Sequence, residues 1–149
     1  MPTERPAILV TGATGQVGYE LVRALAPLGR IIAPSRQELD LSDEGRTRAY
    51  MERARPRAVV NAGAYTAVDR AESDLAACRL MNAVAPAVLA AAACAVGALM
   101  IHYSTDYVFD GTSQRPYRED DATRPINVYG ETKRDGENAV IASGALALF

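Results

Sequence analysis

The chain has 149 residues, a length that fits one domain with a single buried core. Its formal net charge is -2 at pH 7, and neither a basic arm nor an acidic tail is present, so nothing in the sequence indicates nucleic-acid binding. The two cysteines and one histidine have no metal-ligand spacing, so we expect neither a disulfide framework nor a metal site.

We interpret no segment of the sequence as a signal peptide or a membrane span. Residues 1–6 lack the apolar core of a signal peptide. Residues 83–100 are apolar, but they are mostly alanine and are interrupted by Pro86, so a buried helix is favoured. We therefore expect a cytoplasmic protein in which Cys78 and Cys94 are buried, reduced thiols.

Strand and helix patterns alternate along the whole chain. Strands are predicted at residues 7–11, 30–33, 57–61, 98–104 and 145–149. Helices are predicted at residues 16–28, 42–55, 72–96 and 127–142, with Gly29 as the C-cap of the first and Ser42 as the N-cap of the second. Because the strands are continuous apolar runs, they predict a Rossmann-type, doubly wound α/β fold: a parallel sheet with helices on both faces.

A glycine-rich turn lies between the first strand and the first helix. Gly12, Gly15 and Gly18 have the spacing G-x-x-G-x-x-G. The first glycine permits a sharp turn, the second lets the backbone approach a diphosphate, and the third lets helix and strand pack closely. The first-turn amides of the helix then face the anion. The order of strand, turn and helix predicts a dinucleotide-binding site.

The end of the second strand indicates which dinucleotide is bound. A carboxylate about twenty positions past the glycines favours NAD, but here the strand ends in Pro34, Ser35 and Arg36. Arg36 can reach a 2′-phosphate and Ser35 can hydrogen-bond to it, so NADPH is favoured and NADH is the alternative. Arg36 could equally be a solvated loop arginine. Asp40 either flanks the adenine or belongs only to a turn before the next helix.

Small residues follow the third strand at Ala62, Gly63 and Ala64. In sheets of this kind, ligands lie outside the carboxyl ends of the strands. A backbone of small residues at this place can approach the pyrophosphate or the nicotinamide ribose, although a simple tight turn would have the same composition.

Tyr129 and Lys133 are four residues apart on a predicted helix and therefore share one face. An ammonium one turn away would stabilise the phenolate and lower the pKa of Tyr129, which could then protonate a carbonyl oxygen while hydride reaches the carbon. Thr105 would emerge at the carboxyl end of the fourth strand, where its hydroxyl could bond the carbonyl or Tyr129. Each feature alone has a structural explanation, but their joint order favours the chemical one. His102, inside an apolar strand, is predicted to be structural.

The chain resembles the extended short-chain dehydrogenase/reductases, and within them the family of dTDP-4-dehydrorhamnose reductases. The resemblance is carried by residues 11–18, 61–64, 64–72, 102–109 and 127–133. It implies reduction of the 4-keto group of dTDP-4-dehydro-L-rhamnose to dTDP-L-rhamnose, with NADPH or NADH as cofactor.

The resemblance also implies a set of site residues. The implied catalytic residues are Thr105, Tyr129 and Lys133. The residues implied to touch the cofactor are Gly12, Gly15, Gln16, Val17, Gly18, Asp40, Leu41, Ala62, Gly63, Ala64, Tyr103, Tyr129 and Lys133. The residues implied to touch the sugar are Thr105, Asp106 and Tyr129.

Members of the family continue after the fifth strand into a nucleotide-sugar lobe. We expect residues 1–149 to form the NAD(P)-binding domain without that lobe, because Phe149 ends the sequence inside a strand pattern. Family members that dimerise through a metal use the later region, so no metal is expected here. An uncovered sheet edge would favour self-association into a homo-oligomer.

Two other functions are compatible with the sequence. A nucleotide-sugar epimerase or dehydratase would need an acid-base pair just after Thr105, and only Asp106 is available. The second is a non-catalytic binding module. The chain also resembles the regulatory subunit of methionine adenosyltransferase, which is such a module. Intact Tyr129 and Lys133 disfavour that module, whereas the missing lobe favours it.

Overall fold

The computed structural model describes residues 5–149, so most of the segment tested for a signal peptide lies outside the described residues. Within residues 5–149, five parallel strands form one sheet in the order β2-β1-β3-β4-β5. The strands are β1 (Ala7–Thr11), β2 (Arg30–Ile32), β3 (Ala58–Asn61), β4 (Leu99–His102) and β5 (Ala147–Leu148). The helices are α1 (Gln16–Leu25), α2 (Glu44–Ala54), α3 (Val68–Ala71), α4 (Leu75–Arg79), α5 (Ala85–Val96) and α6 (Val128–Ala142).

The predicted Rossmann-type fold is confirmed. Leu9, Val59 and Met100 lie side by side on one face of the sheet and pack with residues of α2, α5 and α6. Val10 and Val60 lie on the opposite face and pack with residues of α1. Successive strand residues point to opposite faces, so burying both faces requires the continuous apolar runs seen in the sequence.

Several helix ends differ from the prediction. α1 ends at Leu25 rather than residue 28, and Pro27 has no N–H with which to extend the helix. Gly29 is not the C-cap: a Cβ there would lie 2.3 Å from the Pro6 carbonyl oxygen, so close packing explains the glycine. Asp43, not Ser42, caps α2 by accepting a hydrogen bond from the amide of Arg46.

The long predicted helix is interrupted by a π-helical turn, Leu80–Val84, between α4 and α5. Pro86 follows at the start of α5 and lacks an N–H, which favours a change of hydrogen-bond pattern there. By length and composition alone Leu75–Val96 could cross a membrane, but in this fold α5 packs against α2 and α6. The prediction for Cys94 is wrong: Cys78 is buried, whereas Cys94 is exposed.

Candidate functional site

A cleft of about 690 Å³ opens at the carboxyl edge of the sheet, where the strand order reverses between β1 and β3. Open α/β sheets bind ligands at this switch point. The cleft is lined by twelve residues that the sequence analysis selected for a cofactor: Gly12, Gly15, Gln16, Val17, Gly18, Ser35, Arg36, Asp40, Leu41, Ala62, Gly63 and Ala64. Seven further lining residues were not selected: Thr11, Ala13, Thr14, Pro34, Leu39, Thr66 and Met81.

Gly12 and Gly18 of the turn leave no space for a side chain, and Gly15 leaves little. Gly12 has a φ of +70°, and a Cβ there would lie 2.6 Å from the Gly63 nitrogen. A Cβ on Gly18 would lie 2.1 Å from the Gly12 carbonyl oxygen, and a Cβ on Gly15 would lie 3.3 Å from the same oxygen. The backbones of the first turn and of the loop after β3 therefore approach closely and form a cradle for a flat or extended anion.

The N-terminus of α1 is open toward this cradle. Its N-cap, Gly15, provides no side-chain hydrogen bond, and the first turn contains no acidic residue. Unpaired N–H groups at a helix start, together with the helix dipole, favour a negatively charged ligand. The residues present therefore fit the diphosphate of a dinucleotide.

The loop after β2, at one end of the cleft, differs in one respect from the sequence-based interpretation. Ser35 was expected to be free for a 2′-phosphate, but its amide and its hydroxyl both donate to Oε2 of Glu38, at 2.8 and 2.9 Å. Glu38 was missed, although the spacing S-x-x-E of a capping box could have revealed it. These bonds from Ser35 lower the pKa of the Glu38 carboxyl.

Asp40 also lines the cleft, and it belongs to the turn before α2. Its carboxylate accepts hydrogen bonds from the hydroxyl and the amide of Ser42, at 2.7 and 3.0 Å. These bonds, and more weakly the charges of Arg36 and Arg46, lower the pKa of Asp40. The carboxylate therefore stays ionised beside the cleft at neutral pH.

A polar side-chain ladder crosses the carboxyl ends of β1, β3 and β4. Thr11 donates to Oδ1 of Asn61 at 2.6 Å, and the Asn61 amide lies 3.0 Å from Nδ1 of His102. The three residues are register partners, and each is almost fully buried. Oδ1 of Asn61 also accepts from the amide of Gly63 at 3.2 Å. The ladder thus fixes the strand ends that support the cleft, which agrees with the structural role predicted for His102.

His102 makes stability sensitive to acid. Burial, and secondarily the charge of Lys133, lowers its pKa from 6.5 to about 4. An unfolded chain protonates this histidine below pH 6.5 whereas the folded chain resists protonation until about pH 4, so stability should fall by about 3 kcal/mol as pH drops through that window. Denaturant unfolding of wild type and His102→Gln from pH 7 to pH 4 would measure this. Equal pH slopes in the two proteins would contradict it.

Tyr129 lies at the N-terminal end of α6, beside the end of β4. Tyr129 is 9 % exposed, and its ring stands edge-on to the ring of Tyr107, with centroids 5.5 Å apart. Burial raises the pKa of its phenol, and the nearby Thr105 side chain opposes the rise. The Thr105 hydroxyl donates to Asp106 at 3.3 Å. We expected Lys133 to lower the pKa of Tyr129. This lowering is not found, because burial dominates and raises the pKa.

Lys133 lies one turn further along α6 and is almost fully buried. Its ammonium donates to the carbonyl oxygen of Tyr103 rather than to the phenol. Burial lowers the pKa of Lys133, while the charge of Glu137 raises it. Tyr103 directly follows β4, and its amide donates to the Asn61 carbonyl at 3.3 Å. Tyr103 also lies beside Gln16 and Val17 on a shallow surface that adjoins the cleft.

Asn82 holds these elements together and was missed by the sequence analysis. It is fully buried in the π-helical turn, where Oδ1 accepts from the amide of Tyr65 at 2.8 Å and Nδ2 donates to the Tyr65 carbonyl at 3.0 Å. Nδ2 also reaches Thr132 at 3.3 Å, and the Thr132 hydroxyl donates to the Tyr129 carbonyl at 2.9 Å. Asn82 thereby couples the loop before α3 to the helix that carries Tyr129.

Across residues 5–149, no three His, Cys, Asp or Glu side chains are grouped so that they could hold a metal ion. The cleft is instead a small-residue anion cradle. Thr105, Tyr129 and Lys133 lie outside its lining, and Lys133 binds the carbonyl of Tyr103, which directly follows β4. Such an arrangement can bind a dinucleotide and move a proton at a neighbouring carbonyl group.

Comparison with known proteins agrees with this geometry. Residues 6–148 match the family model described as the RmlD substrate binding domain. The dTDP-4-dehydrorhamnose reductase of Burkholderia thailandensis is 56 % identical over 137 residues, which cover 92 % of this chain and 46 % of the relative. The reductase of the same name from Escherichia coli K12 is 50 % identical, with 89 % and 46 % covered.

Solved structures with the same fold include two proteins of that name. The Bacillus anthracis protein, solved in complex with NADP, is 31 % identical with a TM-score of 0.94, covering 99 % of this chain and 53 % of that one. The Clostridium acetobutylicum protein is 39 % identical with a TM-score of 0.91, covering 95 % and 51 %. The chain spans about half the length of these relatives. By its sequence and its fold, this chain belongs to the dTDP-4-dehydrorhamnose reductase family.

Proposed function

We propose that this chain is the NAD(P)-binding part of an oxidoreductase that uses NADPH, or NADH, to reduce dTDP-4-dehydro-L-rhamnose to dTDP-L-rhamnose in the cytoplasm. The observation that carries the proposal is the location of the cleft. The glycine cradle, Tyr103 and Lys133, which binds the Tyr103 carbonyl, lie at the carboxyl edge of one parallel sheet. The Bacillus anthracis relative was solved in complex with NADP, which supports the choice of cofactor.

The cofactor would lie along the cleft. Gly12, Gly15, Gln16 and Val17 would hold the pyrophosphate with backbone amides, and Gly18 would let α1 approach. Asp40 and Leu41 would flank the adenine, and Arg36 would meet the 2′-phosphate. Residues 62–64 and Tyr103 would line the path toward the nicotinamide. When bound, the reduced nicotinamide supplies the hydride that the carbonyl carbon needs.

Tyr129 would donate the proton to the C4 oxygen of the sugar. A reductase needs this phenol protonated at the start, and the raised pKa of Tyr129 keeps it so at neutral pH. The hydroxyl of Thr105 would orient the carbonyl and bond the phenol, and Asp106 would approach the sugar. Lys133 would hold the nicotinamide ribose.

Cofactor binding is the direct test of this proposal. Titration with NADPH should raise nicotinamide fluorescence to saturation, because a nicotinamide held in a partly apolar cleft is shielded from water. No change at millimolar NADPH would contradict the proposal.

Turnover would separate this sugar from a second candidate substrate. A relative from Streptomyces niveus, 45 % identical over 134 residues, is named dTDP-4-keto-6-deoxy-D-glucose reductase. Oxidation of NADPH with each of the two sugars would show which is preferred, and dTDP-4-dehydro-L-rhamnose is expected to react faster.

Self-association into a homo-oligomer stays a prediction. The exposed side chains of Leu146, Leu148 and Phe149 near the β5 edge would contribute apolar surface to such a contact.

A further inference from the structure

The loop after β2 contains a reciprocal pair of hydrogen bonds between Ser35 and Glu38. Oε2 of Glu38 accepts from both the amide and the hydroxyl of Ser35, at 2.8 and 2.9 Å. The Glu38 amide lies 3.4 Å from the Ser35 hydroxyl oxygen, which completes a capping box. Both donors that Ser35 can offer to a ligand are therefore already directed at a carboxylate of the protein itself.

This pair lies at the adenosine end of the cleft. Ser35 and the adjacent Arg36 both line the cleft directly after β2, where a dinucleotide places its adenosine ribose. In the described part of the chain, the Arg36 guanidinium makes no hydrogen bond or salt bridge within the usual distance limits. Arg36 and Glu38, one cation and one anion, follow Ser35 by one and three positions on the same loop. A second anion, Asp40, lines the cleft two positions after Glu38.

The two charges act in opposite directions on a 2′-phosphate. Such a phosphate carries close to two negative charges and needs donors, so Arg36 attracts it, whereas Glu38 repels it and withholds the Ser35 donors. A ribose 2′-hydroxyl is neutral and can donate to the Glu38 carboxylate, so the unphosphorylated cofactor does not meet this penalty.

We infer that Glu38 is a specificity-determining residue that weakens binding of the 2′-phosphate of NADPH and so keeps NADH competitive in the same cleft. The inference rests on the proposed function. It differs from a purely structural role, in which the capping box only shapes the loop and affects both cofactors equally.

The test is the ratio of two dissociation constants. In Glu38→Gln, the amide oxygen can still accept from Ser35 but the charge is gone. NADPH should bind about three- to tenfold more tightly, the size expected for one like charge acting through water at the surface, while NADH should bind as in wild type. The gain for NADPH should shrink at high ionic strength, because salt screens exposed charges.

Two further variants make the outcome decisive. Glu52→Gln removes an exposed carboxylate from α2, away from this loop, and should leave both constants unchanged. Ser35→Ala breaks the capping box but keeps the Glu38 charge, and should not improve NADPH binding. An unchanged ratio in Glu38→Gln, or the same change in Glu38→Gln and Ser35→Ala, would overturn the inference. If the wild-type chain binds neither NADPH nor NADH, both the proposed function and this inference fail.

Discussion

Tyr129→Phe should lower kcat for reduction by about a thousandfold or more in the oxidoreductase of which this chain is the NAD(P)-binding part, because the variant loses the hydroxyl that would protonate the carbonyl oxygen. The ring itself should remain in place. Phenylalanine fills the same buried site and keeps the edge-on contact with Tyr107. Cofactor affinity should therefore stay within about twofold of wild type, since the variant alters chemistry and leaves the cleft intact.

Two assays on the same preparations would separate these effects. NADPH oxidation in the presence of the ketosugar measures turnover, and nicotinamide fluorescence measures binding. Tyr50→Phe is the matched control, since Tyr50 lies on α2, where its ring faces the guanidinium of Arg53, away from the cleft. A Tyr129→Phe variant with wild-type turnover would remove the phenol from the mechanism.

Gly18→Ala should reduce the free energy of unfolding by about 3 kcal/mol, near the upper end of ordinary overpacking. The added Cβ would lie 2.1 Å from the Gly12 carbonyl oxygen and 2.8 Å from the Cα of Ala13. Both are backbone atoms, so the clash can be relieved only if α1 moves away from the turn. The same movement would open the cradle for the pyrophosphate. We expect NADPH binding to weaken by about tenfold or more, for which a loss of only about 1.4 kcal/mol suffices.

Gly45→Ala provides the comparison within the same chain. Gly45 lies in α2, and a Cβ there would meet only the Asp43 carboxylate at an ordinary 3.6 Å. This variant should be neutral or more stable by up to about 1 kcal/mol, because alanine favours helix. Urea unfolding of both variants, with cofactor titrations, tests the pair. Equal stabilities would show that the close packing at Gly18 does not constrain the fold.

The sequence was informative wherever a single residue type is required for a local geometric reason. The glycine turn is the clearest case, because only glycine fits where the backbones of Gly12 and Gly63 approach. The apolar strand runs were equally informative, because burial on both faces leaves no polar alternation. The boundaries of α1 and α2 were less predictable, since Pro27 competed with Gly29, two residues away, and Asp43 competed with Ser42, its neighbour.

Residues whose roles depend on partners distant in sequence could not be identified in this way. Asn82 looks like any polar residue on a helix, and its function in the fold arises only because Tyr65 and Thr132 meet it in space. The protonation of Tyr129 was likewise misjudged. Helical spacing places Lys133 one turn away, but in the fold the ammonium binds the Tyr103 carbonyl and burial sets the direction of the phenol's pKa.

By itself, the sequence determined the sheet, the glycine cradle and the family, because each depends on residue types at short, fixed spacings. The tertiary structure decided which groups are left free to act. It directed both Ser35 donors to Glu38, joined Thr11, Asn61 and His102 across three strands, and turned Lys133 toward a carbonyl. Burial and hydrogen bonding depend on neighbours that the folded chain brings together, and no local pattern encodes them.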